Sequence, residues 1–317
     1  MSKYILLTGG TGFVGSHLLE ELLNLNQKVI LLKRSFSNTW RINEFKENKN
    51  LILKNIDKEN LNDIFSQYTI KGVYHLATFA QRTHKSDAVK NMIGSNITFP
   101  TELLENSVNH DVKFFINTGS FSEYELKNSP ISETHKIKPF NLYASTKIAF
   151  ENILKFYSDN YDLNCQTLKL FTPYGPKDDE IKITPYLIIN SIKKENILIK
   201  SPTKKLDFIY VKDVVDCYIA LMNQLDKLNE YNSFNVGTGR GTSIKDVLKI
   251  IEKYLGENNH VDYDNLENDY VWCSNKKSYD KLNWAPKTKL DDGIKFTIDY
   301  YLTKSVNNSV EQLTSHK

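Results

Sequence analysis

The 317-residue chain holds only three cysteines, Cys165, Cys217 and Cys273, far apart in sequence. An odd, scattered set excludes a disulfide framework and a cysteine-ligated zinc cluster. The seven histidines show no ligand spacing either, so no metal is expected. No apolar run reaches the roughly 18 residues that a bilayer-spanning helix needs, and a strand-like segment begins at once where a leader would stand. The expectation is a cytoplasmic protein with no membrane partner. An excess of one charge is missing too: 41 Lys and Arg oppose 38 Asp and Glu, a net charge of +3, with the signs interspersed. Nothing there calls for nucleic acid. There is no internal repeat. One further absence is local: from Leu22 through Asn43 the chain has no Asp or Glu at all.

What is present is 40% apolar residues, enough for one elaborated domain or two. Short apolar runs alternate with amphipathic stretches. "YILLT", "KVILL", "LILKNI", "GVYHLA", "VKFFINT" and "NCQTLKLF" read as strands. "VGSHLLEELLNL", "ENLNDIFSQY" and "YASTKIAFENILKFYSDNY" read as helices, and "VKNMIGSNITFPTELLENSV" as a helix broken near Pro100. Such alternation predicts a parallel sheet covered on both faces. Beyond "TPYGPKDD" the pattern loosens. Helices near Thr184–Lys194, Val214–Leu225, Ser243–Leu255 and Gly293–Leu302, with short strands near Asp207–Val211 and Ser233–Val236, suggest a smaller mixed lobe. The expected fold class is α/β: a Rossmann-type doubly wound parallel sheet with a smaller mixed α/β C-terminal substrate lobe. Residues 1–170 form the dinucleotide-binding domain. Residues 171–302 form mainly the substrate lobe, with segments returning to the first domain, and 303–317 a polar, frayed tail.

Gly9, Gly10, Gly12 and Gly15 sit where the first strand hands over to the first helix. A tight turn wants positive φ, a pyrophosphate must reach backbone amides at a helix N-terminus, and the helix must pack closely on the sheet. Dinucleotide binding is the reading; an ordinary glycine turn is the alternative. Gly9, Gly12, Phe13, Val14 and Gly15, with Leu76 after the fourth strand, are the candidate cofactor contacts. At the end of the second strand an acid would accept from a free adenosine ribose diol. Lys33 and Arg34 stand there instead, placed to hold a 2′-phosphate by charge-assisted hydrogen bonds. The expected cofactor is therefore NADP(H); the alternative is two solvated surface cations. Asp57, after the third strand, is either a contact to the adenine amino group or a plain loop acid.

"YASTK" gives Tyr143-x-x-x-Lys147. Residues i and i+4 share a helix face, so phenol and ammonium point into one cleft. A free phenol, with a pKa near ~10, is a poor proton donor or acceptor at neutral pH, and a neighbouring cation is expected to lower that value. The same lysine can hydrogen-bond the nicotinamide ribose. "FFINTGSFSEY" offers hydroxyls to orient a substrate oxygen. A helix-surface pair is the plain alternative for the motif alone. His75, in "YHLA", reads as packing beneath the cofactor rather than as a ligand.

Taken in order, "TGGTGFVGSH", "VYHLAT", "FFINTGS", "YASTK" and "LFTPYGP" resemble the extended short-chain dehydrogenase/reductases that act on nucleotide-linked sugars, over roughly Lys3 to Tyr301. The resemblance implies Ser120 as the substrate-orienting hydroxyl, with Thr118 and Ser122 as competitors, Tyr143 as acid/base, and Lys147 as its electrostatic partner and cofactor contact. It implies a nucleotide-sugar substrate and, by analogy, a homodimer. Dehydratases of this kind carry an Asp-Glu pair directly after the active hydroxyl. Here Phe121 and Ser122 occupy those places, and Glu123 is shifted by one. The cysteine used by epimerase-reductases is missing as well. What remains is a ketoreductase. "FFINTGS", "LKLFTPYGPKDDEIKITPYLI" and "LDFIYVKDVV" resemble paratose and abequose synthases. This implies NADPH-dependent reduction of a nucleotide-linked 4-keto-deoxy sugar, in surface polysaccharide sugar biosynthesis. The alternatives are a 4-epimerase or 4-dehydrogenase with tightly bound NAD, or a non-catalytic dinucleotide-sensing protein.

Two departures concern the diphosphate. The arginine usual just before "DFIYV" is replaced by Leu206, preceded by Lys204 and Lys205, and a second arginine is missing from "DNLENDYVW". Lysines neutralise phosphate as point charges rather than as bidentate forks. Lys204, Lys205, Arg82 in the loop after "HLAT", and Thr172, where many relatives place Asn, are the candidate substrate contacts.

Overall fold

A computed structural model describes residues 2–81, 85–127, 129–258, 260–264 and 270–314. Seven parallel strands form the central sheet in the order β11-β6-β5-β4-β1-β2-β3. They are β1 (Lys3–Thr8), β2 (Val29–Lys33), β3 (Leu51–Asn55), β4 (Thr69–His75), β5 (Phe114–Ser120), β6 (Asn164–Leu170) and β11 (Asn232–Val236). The order reverses between β1 and β4, so a crevice opens at the carboxyl ends of those two strands. Helices α1 (Phe13–Asn24), α2 (Leu61–Gln67), α3 (Ser86–Ile93), α4 (Phe99–Asn109) and α5 (Leu142–Asn160) connect the strands.

Strand side chains alternate between the two faces, which explains the two cores. Ile5, Leu7, Val29 and Leu31 meet Leu18, Leu19 and Leu22 of α1 on one face. Leu6, Ile30, Leu32 and Phe115 meet Leu103, Phe150 and Leu154 on the other. All three cysteines are buried and free.

The α-helix between Ser86 and Asn109 is interrupted just before Pro100 but not ended there. A π-helical turn at Gly94–Thr98 links α3 to α4, and Pro100 sits in the first turn of α4. A proline lacks the N–H that a continuing α-helix would use, and it falls where the bonding pattern changes. The widened turn also aims Asn96 inward, where it is buried.

The second half of the chain splits its packing. It contains β7 (Thr172–Tyr174), α6 (Ile183–Lys193), β8 (Ile197–Ile199), β9 (Lys205–Leu206), β10 (Phe208–Tyr210), α7 (Val211–Gln224), β12 (Thr242–Ser243), α8 (Ile244–Leu255), β13 (Val261–Tyr263), β14 (Tyr270–Val271), α9 (Lys276–Leu282) and α10 (Leu290–Thr314). α6, α8 and α10 build a separate core with Leu187, Ile188, Val247, Ile251, Ile294 and Ile298. α7 instead places Cys217, Tyr218 and Leu221 in the core beneath the main sheet. The segment near Ser233–Val236, read as part of the mixed lobe, is β11. It pairs with β6 in register from Asn232↔Gln166 to Val236↔Leu170 and forms one edge of the main sheet. α10 continues to Thr314, through most of the stretch whose polarity suggested a frayed tail.

Candidate active site

The glycine turn follows β1 directly. Gly9 has φ +73, and a Cβ on it would lie 2.5 Å from the Ala77 amide nitrogen. A Cβ on Gly15 would collide with the Gly9 carbonyl. Helix α1 begins after Gly12 with no side-chain cap, so its first amides face the crevice unblocked. That cradle fits the pyrophosphate of a dinucleotide: bare backbone donors, no Cβ in the way, and a helix N-terminus behind them. Phe13 and Val14 open α1. Leu76 donates its amide to the Thr8 carbonyl, which puts its backbone against the turn. His75 accepts or donates at Nδ1 with Thr8 Oγ1, 2.9 Å away, and its ring lies among Phe99, Phe115 and Phe150.

At the end of β2, Lys33 Nζ donates to Asn55 Oδ1 at 2.8 Å. Arg34 is exposed, with its guanidinium 4.9 Å from the Phe36 ring centre. Among the described residues no carboxylate is paired with it. Asp57 accepts from Ser35 N at 2.7 Å and from Ser35 Oγ at 2.5 Å, which holds its carboxyl below the usual range. The carboxylate is thus engaged in fixing the loop that carries Arg34, and an adenine contact would compete with those bonds.

Helix α5 owes its position to Asn141, whose side chain accepts from Ala144 N at 2.8 Å and caps the N-terminus. Tyr143 therefore falls in the first turn and Lys147 one turn on, facing the sheet with 3% of its surface exposed. Ser120 ends β5 opposite Leu170 and caps the short turn Phe121–Glu123, its Oγ 2.8 Å from Ser122 Oγ. Ser120 and Thr78 lie beside the Tyr143 phenol and favour its ionised form. Thr118 is turned elsewhere, with its hydroxyl 2.6 Å from Tyr218. Of the three candidate hydroxyls on this strand end, Ser120 meets the phenol.

The electrostatics differ from the expectation of a phenol made more acidic by lysine. Burial, followed by the Glu123 carboxylate, pushes Tyr143 up to about 12, and the bonds from Thr78 and Ser120 only partly oppose this. Burial brings Lys147 down to about 8, while Glu123 and Glu151 pull it up. The dominant neighbour of both groups is an acid that sequence reasoning set aside.

That acid belongs to a buried cluster. Glu123 Oε1 accepts from Ser120 N at 2.7 Å. Lys169 of β6 lies 2.8 Å from both Glu123 and Glu151. A charged residue inside the otherwise apolar run "TLKLF" is the signal that could have revealed it. Asn96 and Thr78 were also missed. Asn96 joins the Thr78 hydroxyl at 3.1 Å, the Phe79 amide at 2.7 Å and Thr146 Oγ1 at 3.0 Å, so it anchors the loop that touches the phenol. Only the π-helical turn, which no sequence pattern announces, brings it there.

Four candidates for substrate contact remain. Thr172 begins β7, two residues beyond the partner of Ser120, and its amide bonds the Asp207 carbonyl. Lys204 lies in the turn before β9. Lys205 is exposed on β9, 5.6 Å from the centre of the Tyr270 ring. Leu206, in the place of the usual arginine, packs against the small core of Tyr124, Phe171 and Val271. Arg82 lies outside the described residues. Among the described residues no group of three or more His, Cys, Asp or Glu could hold a metal, and no helix is long and apolar enough to cross a membrane.

The NAD dependent epimerase/dehydratase family model matches residues 5–237. A CDP-abequose synthase of Salmonella muenchen is 30% identical over 307 residues, spanning 93% of this chain and 97% of that protein. A UDP-glucuronate 4-epimerase of Thermodesulfobacterium geofontis is 29% identical over 312 residues, 94% and 95% of the two chains. The solved UDP-glucuronic acid 4-epimerase of Bacillus cereus, in complex with UDP-glucuronic acid and NAD, superposes with a TM-score of 0.86 at 26% identity. The match covers 94% of this chain and 98% of that one.

Proposed function

Because the chain belongs to the NAD dependent epimerase/dehydratase family of extended short-chain dehydrogenase/reductases, we propose that it is an NADPH-dependent reductase of a nucleotide-linked 4-keto-deoxy sugar. The observation that carries the reading is the exposed Arg34 beside Lys33 at the end of β2, with no acid between Leu22 and Asn43. A 2′-phosphate finds a guanidinium there, and the segment itself carries no acid to accept from a ribose diol. Likeness to CDP-abequose synthase over nearly the whole chain supports the substrate class.

When bound, the reduced nicotinamide supplies the hydride that goes to the carbonyl carbon. The chain's own residues do the rest. Ser120 Oγ, fixed at the strand end, orients the carbonyl oxygen. Tyr143 holds its proton firmly, at about 12, and passes it to the oxygen as negative charge develops there. Lys147, charged below about 8, stabilises the phenolate left behind and contacts the cofactor ribose. Lys204 and Lys205 neutralise the diphosphate, and Thr172 lines the sugar side. Arg82 joins them as a substrate contact on resemblance alone. Elimination is disfavoured because Phe121 and Ser122 occupy the places where a proton-removing carboxylate pair would stand.

A second reading, a 4-epimerase that keeps NAD bound, is favoured by the likeness to a UDP-glucuronate 4-epimerase and to the structure in complex with NAD. One experiment separates the two. Cofactor released from purified protein is identified, and CDP-, dTDP-, GDP- and UDP-linked 4-keto-6-deoxy sugars are offered with NADPH and with NADH. Stoichiometric NADPH oxidation supports the reductase. Tightly held NAD, with interconversion of 4-hydroxy epimers and no net oxidation, supports the epimerase.

A further inference from the structure

Behind Ser120 lies a charge cluster that stability alone does not explain. Glu123 and Lys169 retain 1% and 2% of their surface, and Glu151 is also buried. Burying such groups costs several kcal/mol of desolvation each, and apolar residues of equal volume are often as stable or more so. The site is built to admit them: a Cβ on Gly119 would lie 2.9 Å from Lys169 Cγ and 3.0 Å from Glu123 Oε1. Lys169 also stands 4.8 Å from the centre of the Tyr124 ring, and Tyr231 donates to Glu151 at 2.8 Å. The cluster touches the reacting groups where the Glu123 carboxylate accepts from Ser120 N at 2.7 Å.

We propose that Glu123 is a positioning residue for the reaction. Ionised, it clamps the Ser120 backbone and holds the protons on Tyr143 and Lys147, with Lys169 as its buried counter-charge. This rests on the reading of Ser120, Tyr143 and Lys147 as the reacting groups. A reductase needs a phenol that is still protonated when the oxygen becomes basic, and an ammonium that is still charged; a nearby carboxylate favours both. The groups facing Glu123 are Lys169 from β6, Tyr143, Lys147 and Glu151 from α5, and Tyr124 beside its own turn. Tyr231, just before β11, and Glu133, half-buried and accepting from Asn235 N at 2.8 Å, lie further round the same cluster. His75 of β4 faces Lys147 from the other side. Burial raises Glu123 itself, against the pull of Lys169. Lys169 holds Glu151 low despite its burial.

The test needs no substrate. In the full chain with carbon-13-labelled lysine, the Lys147 signal, assigned by its loss in Lys147→Met, should titrate near 8. In Glu123→Gln, which keeps an oxygen for Ser120 N but loses the charge, that midpoint should fall by about one unit. Glu123→Asp should restore it, and Lys169→Gln, which drives Glu123 neutral, should lower it as well. An unchanged midpoint in folded Glu123→Gln overturns the proposal. Should these variants fail to fold, carboxyl-labelled glutamate in the unaltered protein decides: every glutamate ionised by pH 8, where Lys147 titrates, supports the proposal, and one still protonated there overturns it. Once a substrate is known, the alkaline limb of the reduction rate should move down in Glu123→Gln, whereas a merely structural role would scale the rate without moving the limb. If the lysine signal shifts and no keto sugar is reduced, the reductase reading fails and this one stands.

Discussion

At the carboxyl end of β5, Lys147, Glu123 and Lys169 lie almost wholly out of water; at the carboxyl end of β2, Arg34 stands exposed and rests on Phe36. Both ends of the crevice use charge. Inside, little solvent screens it, and burial itself pushes Tyr143 up to about 12 and brings Lys147 down to about 8, with Glu123 raising both. Outside, solvent and salt mute it, and Arg34 acts only on a phosphate that comes to it. The contrast separates two tasks. Chemistry belongs to the enclosed end, where protons can be held against solvent. Choice of cofactor belongs to the open end, where a charged fork must be free to meet its partner.

The comparison can be broken most sharply at the enclosed end. Tyr143→Phe removes the proton donor, and turnover should fall about 10²–10⁴-fold with dinucleotide affinity nearly unchanged. Steady-state rates and a cofactor titration check it, and a variant keeping a tenth of the rate would mean that another group gives the proton. Next comes the floor of the crevice. Gly15→Val forces a side chain into the Gly9 carbonyl, and overpacking of this kind costs about 1–3 kcal/mol. Dinucleotide binding, measured by calorimetry, should weaken at least tenfold for NADPH and NADH alike. Unaltered affinity would move the pyrophosphate elsewhere.

The open end should respond selectively. Arg34→Ala should weaken NADPH by about 1.5–3 kcal/mol, the range for hydrogen bonds to charged groups, and leave NADH unaffected. Equal losses for both would remove the 2′-phosphate argument. The pH profile then joins the two ends. Lys147 is charged below its pKa of about 8 and neutral above it, so reduction should decline as pH rises through that value. A rate level to pH 10 would take Lys147 out of the step. The smallest effect is expected at the exposed Lys205. Lys205→Ala should raise KM for the nucleotide sugar a few-fold at low salt, and less at high salt, as screening predicts.

Much of the sheet was legible because buried parallel strands leave unmistakable apolar runs, and "YILLT" through "NCQTLKLF" all became strands. The strand near Ser233 was equally visible, but its address was not. Pairing with β6 depends on how α7 returns across the sheet, which no local pattern encodes. Pro100 signalled an interruption but not its form: the chain stays helical through a π-helical turn rather than ending. In the site, the i, i+4 spacing placed Tyr143 and Lys147 correctly on one face. The direction of the phenol's shift was missed because it is set first by burial and then by Glu123, which the turn after β5 brings close.

The sequence by itself determined the order of strands and helices, the glycine turn, the cation pair after β2, and the face shared by Tyr143 and Lys147. All of these are set by spacing along a single chain segment. Tertiary structure alone decided that Ser120 rather than Thr118 meets the phenol, and that Glu123, Lys169 and Glu151 share one dry pocket behind it. Those outcomes depend on contacts between β5, α5 and β6, and the strength of a charge depends on how much water the assembled neighbours remove.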